Sequence, residues 1–98
     1  MKIGCCSVNF RHLPLEETLE RVRRAGFEYI EFEANLSWCN HADREKYGPH
    51  EFKDLVIGKY GFKEITGLGS HRELMNDPLA LEDITENIRW AGKVGIPI

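Results

Sequence analysis

The sequence predicts an α/β fold built on a parallel sheet, and a recurring join carries the prediction. Ala25-Gly26-Phe27, Tyr60-Gly61-Phe62 and Val94-Gly95-Ile96 each set a glycine between an amphipathic stretch and a strand-like apolar run. The glycines stand 35 and 34 residues apart, a spacing that marks a repeated supersecondary unit. All-helical repeats of that length do not fit, because no second amphipathic helix follows each glycine. Strand and helix in alternation imply parallel strands joined by right-handed crossovers.

Each element follows from local chemistry. Residues 2–8 read as the first strand, and Asn9 and Phe10 fall at its carboxyl end, where parallel α/β sheets meet their ligands. Leu15, Leu19 and Val22 then make one apolar stripe, with Glu16, Glu17, Glu20, Arg21, Arg23 and Arg24 on the other face. Pro14 suits the first helical position, and acids early and arginines late oppose the helix dipole. Gly26 ends that helix, and residues 27–35 form the second strand. In it Ile30, Phe32 and Ala34 alternate with Tyr29, Glu31 and Glu33, so one side packs under helices and the other presents carboxylates.

Residues 36–48 make a polar loop too long for a simple turn, of the kind that often binds ligands. It holds Trp38, Cys39, Asn40, His41 and Tyr47. Cys39 and His41 invite a metal reading, but no second pair at structural-zinc spacing accompanies them, so loop chemistry without metal is preferred. Trp38 either faces a pocket or pins the loop to the sheet rim. Residues 49–60 give a second helix with Phe52, Leu55, Val56 and Tyr60 inward, weakened by Gly58, which costs about 1 kcal/mol relative to alanine. Residues 62–71 form a third strand ending in Gly67, Gly69, Ser70 and His71. Its glycines lack the full dinucleotide or P-loop pattern. Asp77-Pro78 caps a third helix with Leu81, Ile84, Ile88 and Ala91 on its inner face. Gly95 begins a fourth strand that stops at Ile98. From an open strand edge of this kind the chain is expected to be the amino-terminal part of a longer protein, with residues 1–98 one portion of a single domain.

The 98 residues hold 42% hydrophobic side chains, ordinary for a globular domain. Sixteen acids and 13 bases are interspersed, with a net charge of −3, which argues against nucleic acid as partner. No long apolar segment suggests a signal or a membrane span, so a cytoplasmic protein is expected. The three cysteines fit a reducing compartment, and the adjacent Cys5 and Cys6 are read as small buried hydrophobes on opposite faces of a strand.

Taken together, the Met-Lys-Ile-Gly opening with Ser7 and Phe10, the Leu15-Glu16-Glu17 helix start, Ala25-Gly26-Phe27-Glu28-Tyr29-Ile30-Glu31, and Tyr60-Gly61-Phe62 before a strand ending in His71 resemble a known family. The chain is similar to the xylose-isomerase-like TIM barrels, which include sugar and sugar-phosphate isomerases and epimerases and, more remotely, endonuclease IV. The resemblance implies a (β/α)8 barrel, of which this chain is the first three β/α units and the start of strand four.

It further implies a metal-dependent isomerase or epimerase acting on a keto-sugar through an enediolate. The divalent metal (Mn, Mg, Co or Zn) would be held mostly by residues beyond position 98, so no catalytic residue is identified within the chain. Asn9, Phe10, Glu33, Trp38 and His71 are the expected substrate-binding residues, and His71, a metal ligand in the endonuclease branch, is more readily a hydrogen-bond partner here. Glu31 matches the family's second-strand glutamate, with a buried contact between barrel layers as its preferred role. The expected partner is a small sugar or sugar phosphate. One alternative is an endonuclease IV-like nuclease, which Arg11, Arg44, Lys46 and Arg72 are too scattered to favour. Another is a non-catalytic half-barrel that pairs with a second copy as a homo-oligomer.

Overall fold

A computed structural model describes residues 2–35, 38–72 and 75–97. Strand β1 is Gly4–Cys6, followed by a 3-10 turn at Ser7–Phe10. Helix α1 (Leu15–Arg24) leads to β2 (Tyr29–Asn35) and a two-residue β3 (Cys39–Asn40). Helix α2 (Pro49–Lys53) runs on as a π-helical segment, Asp54–Lys59, before β4 (Glu64–Gly69) and α3 (Ala80–Val94). None of the helices among the described residues is long and apolar enough to cross a membrane.

The three glycine joins are built alike. Gly26, Gly61 and Gly95 are the glycines with positive φ among the described residues, at 99°, 75° and 98°. After each, the next N–H turns back to a helix carbonyl: Phe27 to Val22 at 3.3 Å, Phe62 to Val56 at 3.2 Å and Ile96 to Ala91 at 3.0 Å. The left-handed residue makes those bonds possible, and the helix ends there. The middle join reaches one residue further back because its last turn is wound as a π-helix, with Tyr60 N–H on the Leu55 carbonyl at 3.1 Å. The expected helix over residues 49–60 is therefore present as far as Lys59, with Tyr60 as its cap and Gly58 in a widened turn.

Strand β2 is the hub of the sheet. It pairs in parallel with β1 through Gly4 to Cys6 and with β4 as far as Glu33 opposite Gly69, with an irregularity that leaves Thr66 unmatched. Its last two residues, Ala34 and Asn35, pair antiparallel with Asn40 and Cys39. Phe32, Ile30, Ala34 and Ile65 face the helices and are buried with Leu19, Val22, Phe52, Val56, Trp90 and Val94. The ring of Phe52 meets Phe32, Tyr47 and Trp90 edge-on, with centroids 5.0, 5.9 and 4.9 Å away.

This architecture corrects the predicted TIM-barrel segment. The sheet is mixed, runs β1-β2-β3 with β4 branching from β2, and does not have the strand order of a barrel. The physical reason lies in the polar loop of residues 36–48. Its described residues return alongside β2, where Asn40 and Cys39 pair antiparallel with Ala34 and Asn35 and Ala42 N–H continues the pairing on the Glu33 carbonyl at 3.1 Å. The expected fourth strand is also not seen at Ile96 and Pro97. Ile96 instead tucks into the core at the end of α3. Residue 98 of that expected strand lies outside the described residues, as do residue 1 of the opening motif and residues 36–37 of the loop.

Helix α3 is rotated from its expected face. Ala80, Asp83, Asn87, Trp90, Ala91 and Val94 are the buried residues, whereas Leu81 and Ile88 are 71% and 67% exposed. Polar partners turn it. Arg44 Nη1 donates to Asp83 Oδ1 at 2.7 Å and to Asn87 Oδ1 at 2.6 Å, and Asn87 Nδ2 donates to Ser70 Oγ at 2.8 Å. Arg72 completes the network, pairing with Asp77 and, at 3.1 Å, with Asp83 Oδ2. Trp90 seats the carboxyl half of α3, its indole N–H donating to the Tyr47 carbonyl at 2.9 Å.

Candidate functional site

Alternation along β2 sends Glu31 and Glu33 to the face away from the helices. Cys6, the Cα partner of Glu31 on β1, points to that same face, while Cys5 packs against the core. Glu33 is the enclosed member, 6% exposed, and Glu31 is exposed to solvent. The preferred buried role for Glu31 is thereby reversed: the enclosed carboxylate is one pleat further along.

Three neighbours hold Glu33. Its backbone N–H donates to the fully buried Ser7 Oγ at 3.2 Å. Its Oε2 lies 3.1 Å from His71 Nδ1, just past the end of β4. Its Oε1 lies across Gly69, where a Cβ would stand only 2.2 Å away. The glycine of β4 thus makes room for the carboxylate, a use of strand glycine that the sequence suggests only as close approach of something. The His71 side chain is 72% exposed, so the pair has one enclosed partner and one open to solvent.

Cys6 Sγ and one carboxylate oxygen each from Glu31 and Glu33 lie within 4.8 Å of one another. A sulfur with two carboxylates suits a borderline divalent ion such as zinc or cobalt and is a poor set for magnesium or manganese. The donor chemistry therefore fits part of the range the resemblance implies. Burial pushes the Cys6 thiol up, and Glu31 and Glu33 add to the rise, so a cation here would relieve crowded negative charge and take the thiolate. His71 is not in this group.

The remaining expected residues occupy different places. Asn9 is exposed and its Nδ2 donates to the Cys6 carbonyl at 3.2 Å, and Phe10 packs against the core. Trp38 is 50% exposed with the Arg11 guanidinium over its ring at 5.8 Å. Glu33 and His71 are brought together, whereas Trp38 borders a separate hollow beside Cys39 and His41. No protein-family model matches the chain, and no match to a curated protein was found.

Cys39 and His41 form a buried contact. His41 Nε2 lies 2.8 Å from the Leu13 carbonyl, which makes that nitrogen the donor and leaves Nδ1 to accept from Cys39 Sγ at 3.6 Å. Burial pushes the Cys39 thiol up, so the contact is one between a neutral thiol and an imidazole that ties the loop to the start of α1. Cys6 is the site residue that reading the cysteines as buried hydrophobes missed. Alternation separates Cys5 from Cys6, and the pairing of Cys6 with Glu31 puts it on the face of the two glutamates.

Proposed function

We propose that the chain carries a proton-transfer pair for an isomerase or epimerase acting on a small sugar or sugar phosphate. The observation that supports this is the contact between Glu33 Oε2 and His71 Nδ1 at 3.1 Å, formed at the carboxyl ends of two adjacent parallel strands. Interconverting a keto-sugar needs a base to take the proton beside the carbonyl and an acid to protonate the carbonyl oxygen. Glu33 is the base, enclosed between Ser7, Gly69 and His71. With Nδ1–H donated to Glu33, His71 is held in one tautomer whose bare Nε2 takes the proton of the substrate hydroxyl and passes it to the carbonyl oxygen, while Glu33 takes the carbon proton and returns it to the neighbouring carbon. A zinc-like divalent ion held by Cys6 and Glu31, beside Glu33, would supply polarisation of the carbonyl and hydroxyl oxygens. The resemblance to sugar isomerases and epimerases points the same way.

A nuclease reading finds less support. Arg44 and Arg72 are engaged by Asp83, Asn87 and Asp77 and are not free for phosphate backbone.

The test is deuterium incorporation from heavy water at the carbon beside the carbonyl. A panel of ketoses, aldoses and their phosphates, with zinc or cobalt added, would be followed by NMR. Incorporation is expected for at least one sugar, with Glu33→Gln losing it by roughly 100-fold or more. Exchange no faster than in buffer for the whole panel, or full exchange in Glu33→Gln, overturns the proposal.

A further inference from the structure

On the other side of Cys39 from Glu33, the loop after β2 and the start of α1 border a hollow of about 250 Å³. Arg11, Trp38, Lys46 and Tyr47 line its mouth, with Cys39 and His41 deeper in. The volume falls below the roughly 300–1,000 Å³ of sites for drug-sized ligands. It has room for a tetrahedral anion and a few atoms attached to it.

Two of its lining residues are cations. Elsewhere Lys2, Arg21, Arg24, Arg44, Lys59, Lys63, Arg72 and Arg89 each pair with a carboxylate. Among the described residues Arg11, Arg23, Lys46, Lys53 and Lys93 form no ion pair, and of these Arg11 and Lys46 line the same hollow, each against an aromatic ring. After Lys59 and Tyr60, Lys46 also lowers the Glu16 carboxyl, from beyond ion-pair distance. Arg11 is over Trp38 at 5.8 Å, and the Lys46 ammonium is 5.6 Å from the Tyr47 ring centroid. Two cations without ion pairs therefore share one hollow in a protein of net charge −3. The one acid lining it, Asp43, turns an Oδ1 back to the Glu45 N–H at 3.0 Å. The His41 nitrogens are taken by Leu13 and Cys39, and the negative charge felt at the deeper wall is that of Glu33 acting on Cys39.

We propose that this hollow is a binding site for a small phosphate, free or as a monoester, held between Arg11 and Lys46 beside the Trp38 ring. Guanidinium and ammonium supply charge-assisted hydrogen bonds to its oxygens, and the aromatic rings keep both cations at the mouth. The site stands independently of the Glu33 and His71 pair.

Calorimetric titration at low ionic strength tests it, with inorganic phosphate and ribose 5-phosphate as probes. Saturable binding of one probe molecule per chain is expected, and Arg11→Gln or Lys46→Gln should each weaken it by roughly tenfold. Lys53→Gln and Lys93→Gln remove exposed cations that do not line the hollow and should leave the affinity unchanged. Tighter binding of the sugar phosphate assigns the site to a monoester, and equal binding assigns it to free phosphate. No saturable binding of either probe overturns the proposal, as does equal weakening by all four variants, which would reveal diffuse attraction instead of a site.

Discussion

A methyl group at position 69 would stand 2.2 Å from Glu33 Oε1, so the smallest substitution in β4 acts on a residue of the neighbouring strand. Gly69→Ala must push an enclosed carboxylate off His71 or bend the strand, at a cost of about 1–3 kcal/mol. Urea unfolding would show it as a lower midpoint at unchanged slope, and an unaltered midpoint would mean that Glu33 swings aside freely. Acid sensitivity belongs to this scale too. Arg72 beside Asp77, with the Leu79 N–H, holds the Asp77 carboxyl below its ordinary range. Because the folded-state value is depressed, the stability it contributes is complete above the usual carboxylate value of about 3.9 and drains away as pH falls through the depressed one. Melting temperatures followed downward from about pH 5 should fall less steeply in Asp77→Asn than in the parent.

Helix α3 shows at the scale of an element how charge can override an apolar stripe. Asp83, with 7% of its side chain exposed, sits between Arg44 and Arg72. Asp83→Ala leaves two mostly enclosed guanidiniums without that partner and should cost about 3–5 kcal/mol. Ile88→Lys, on the side that reads as the core face in the sequence, should change stability by no more than about 0.5 kcal/mol. Thermal or denaturant unfolding of the two variants checks the pair, and the opposite ranking would put Ile88 inside. The mismatch is instructive. Leu81, Ile84, Ile88 and Ala91 do recur at helical spacing, but the partners that draw Asp83 and Asn87 inward lie 39 and 43 positions earlier, at Arg44, and such pairings leave no local trace. By contrast α1 was legible, because Leu15, Leu19 and Val22 form its one apolar stripe and its charges pair along the same helix, Arg21 with Glu17 and Arg24 with Glu20. The glycine stops were legible for a similar reason: a left-handed residue is a local demand.

At the scale of the whole molecule, Phe52 joins the parts. Its fully buried ring touches β2 through Phe32, the polar loop through Tyr47 and α3 through Trp90. Phe52→Ala should cost about 3–5 kcal/mol and lower every probe of unfolding together, by near-UV and far-UV circular dichroism alike. Loss confined to one probe would show that the layers unfold separately. Topology was the least legible level. The parallel neighbours of β2 followed from its alternation and from the glycine spacing, but nothing in Cys39-Asn40 announces a strand, since two residues are too few for a period. That short antiparallel return is what removes the chain from the barrel pattern. The candidate site was legible in part, as Glu33 and His71 fell at strand ends, while Cys6 needed the register of β1 against β2.

The enclosure of Trp90 against the exposure of Trp38 gives the protein two indoles in opposite surroundings, 6% and 50% exposed. Iodide, an aqueous collisional quencher, should extinguish the red-shifted emission of Trp38 and spare the blue component from Trp90. A single fluorescence spectrum would then report the loop rim and the interior as separate signals, without any label being attached.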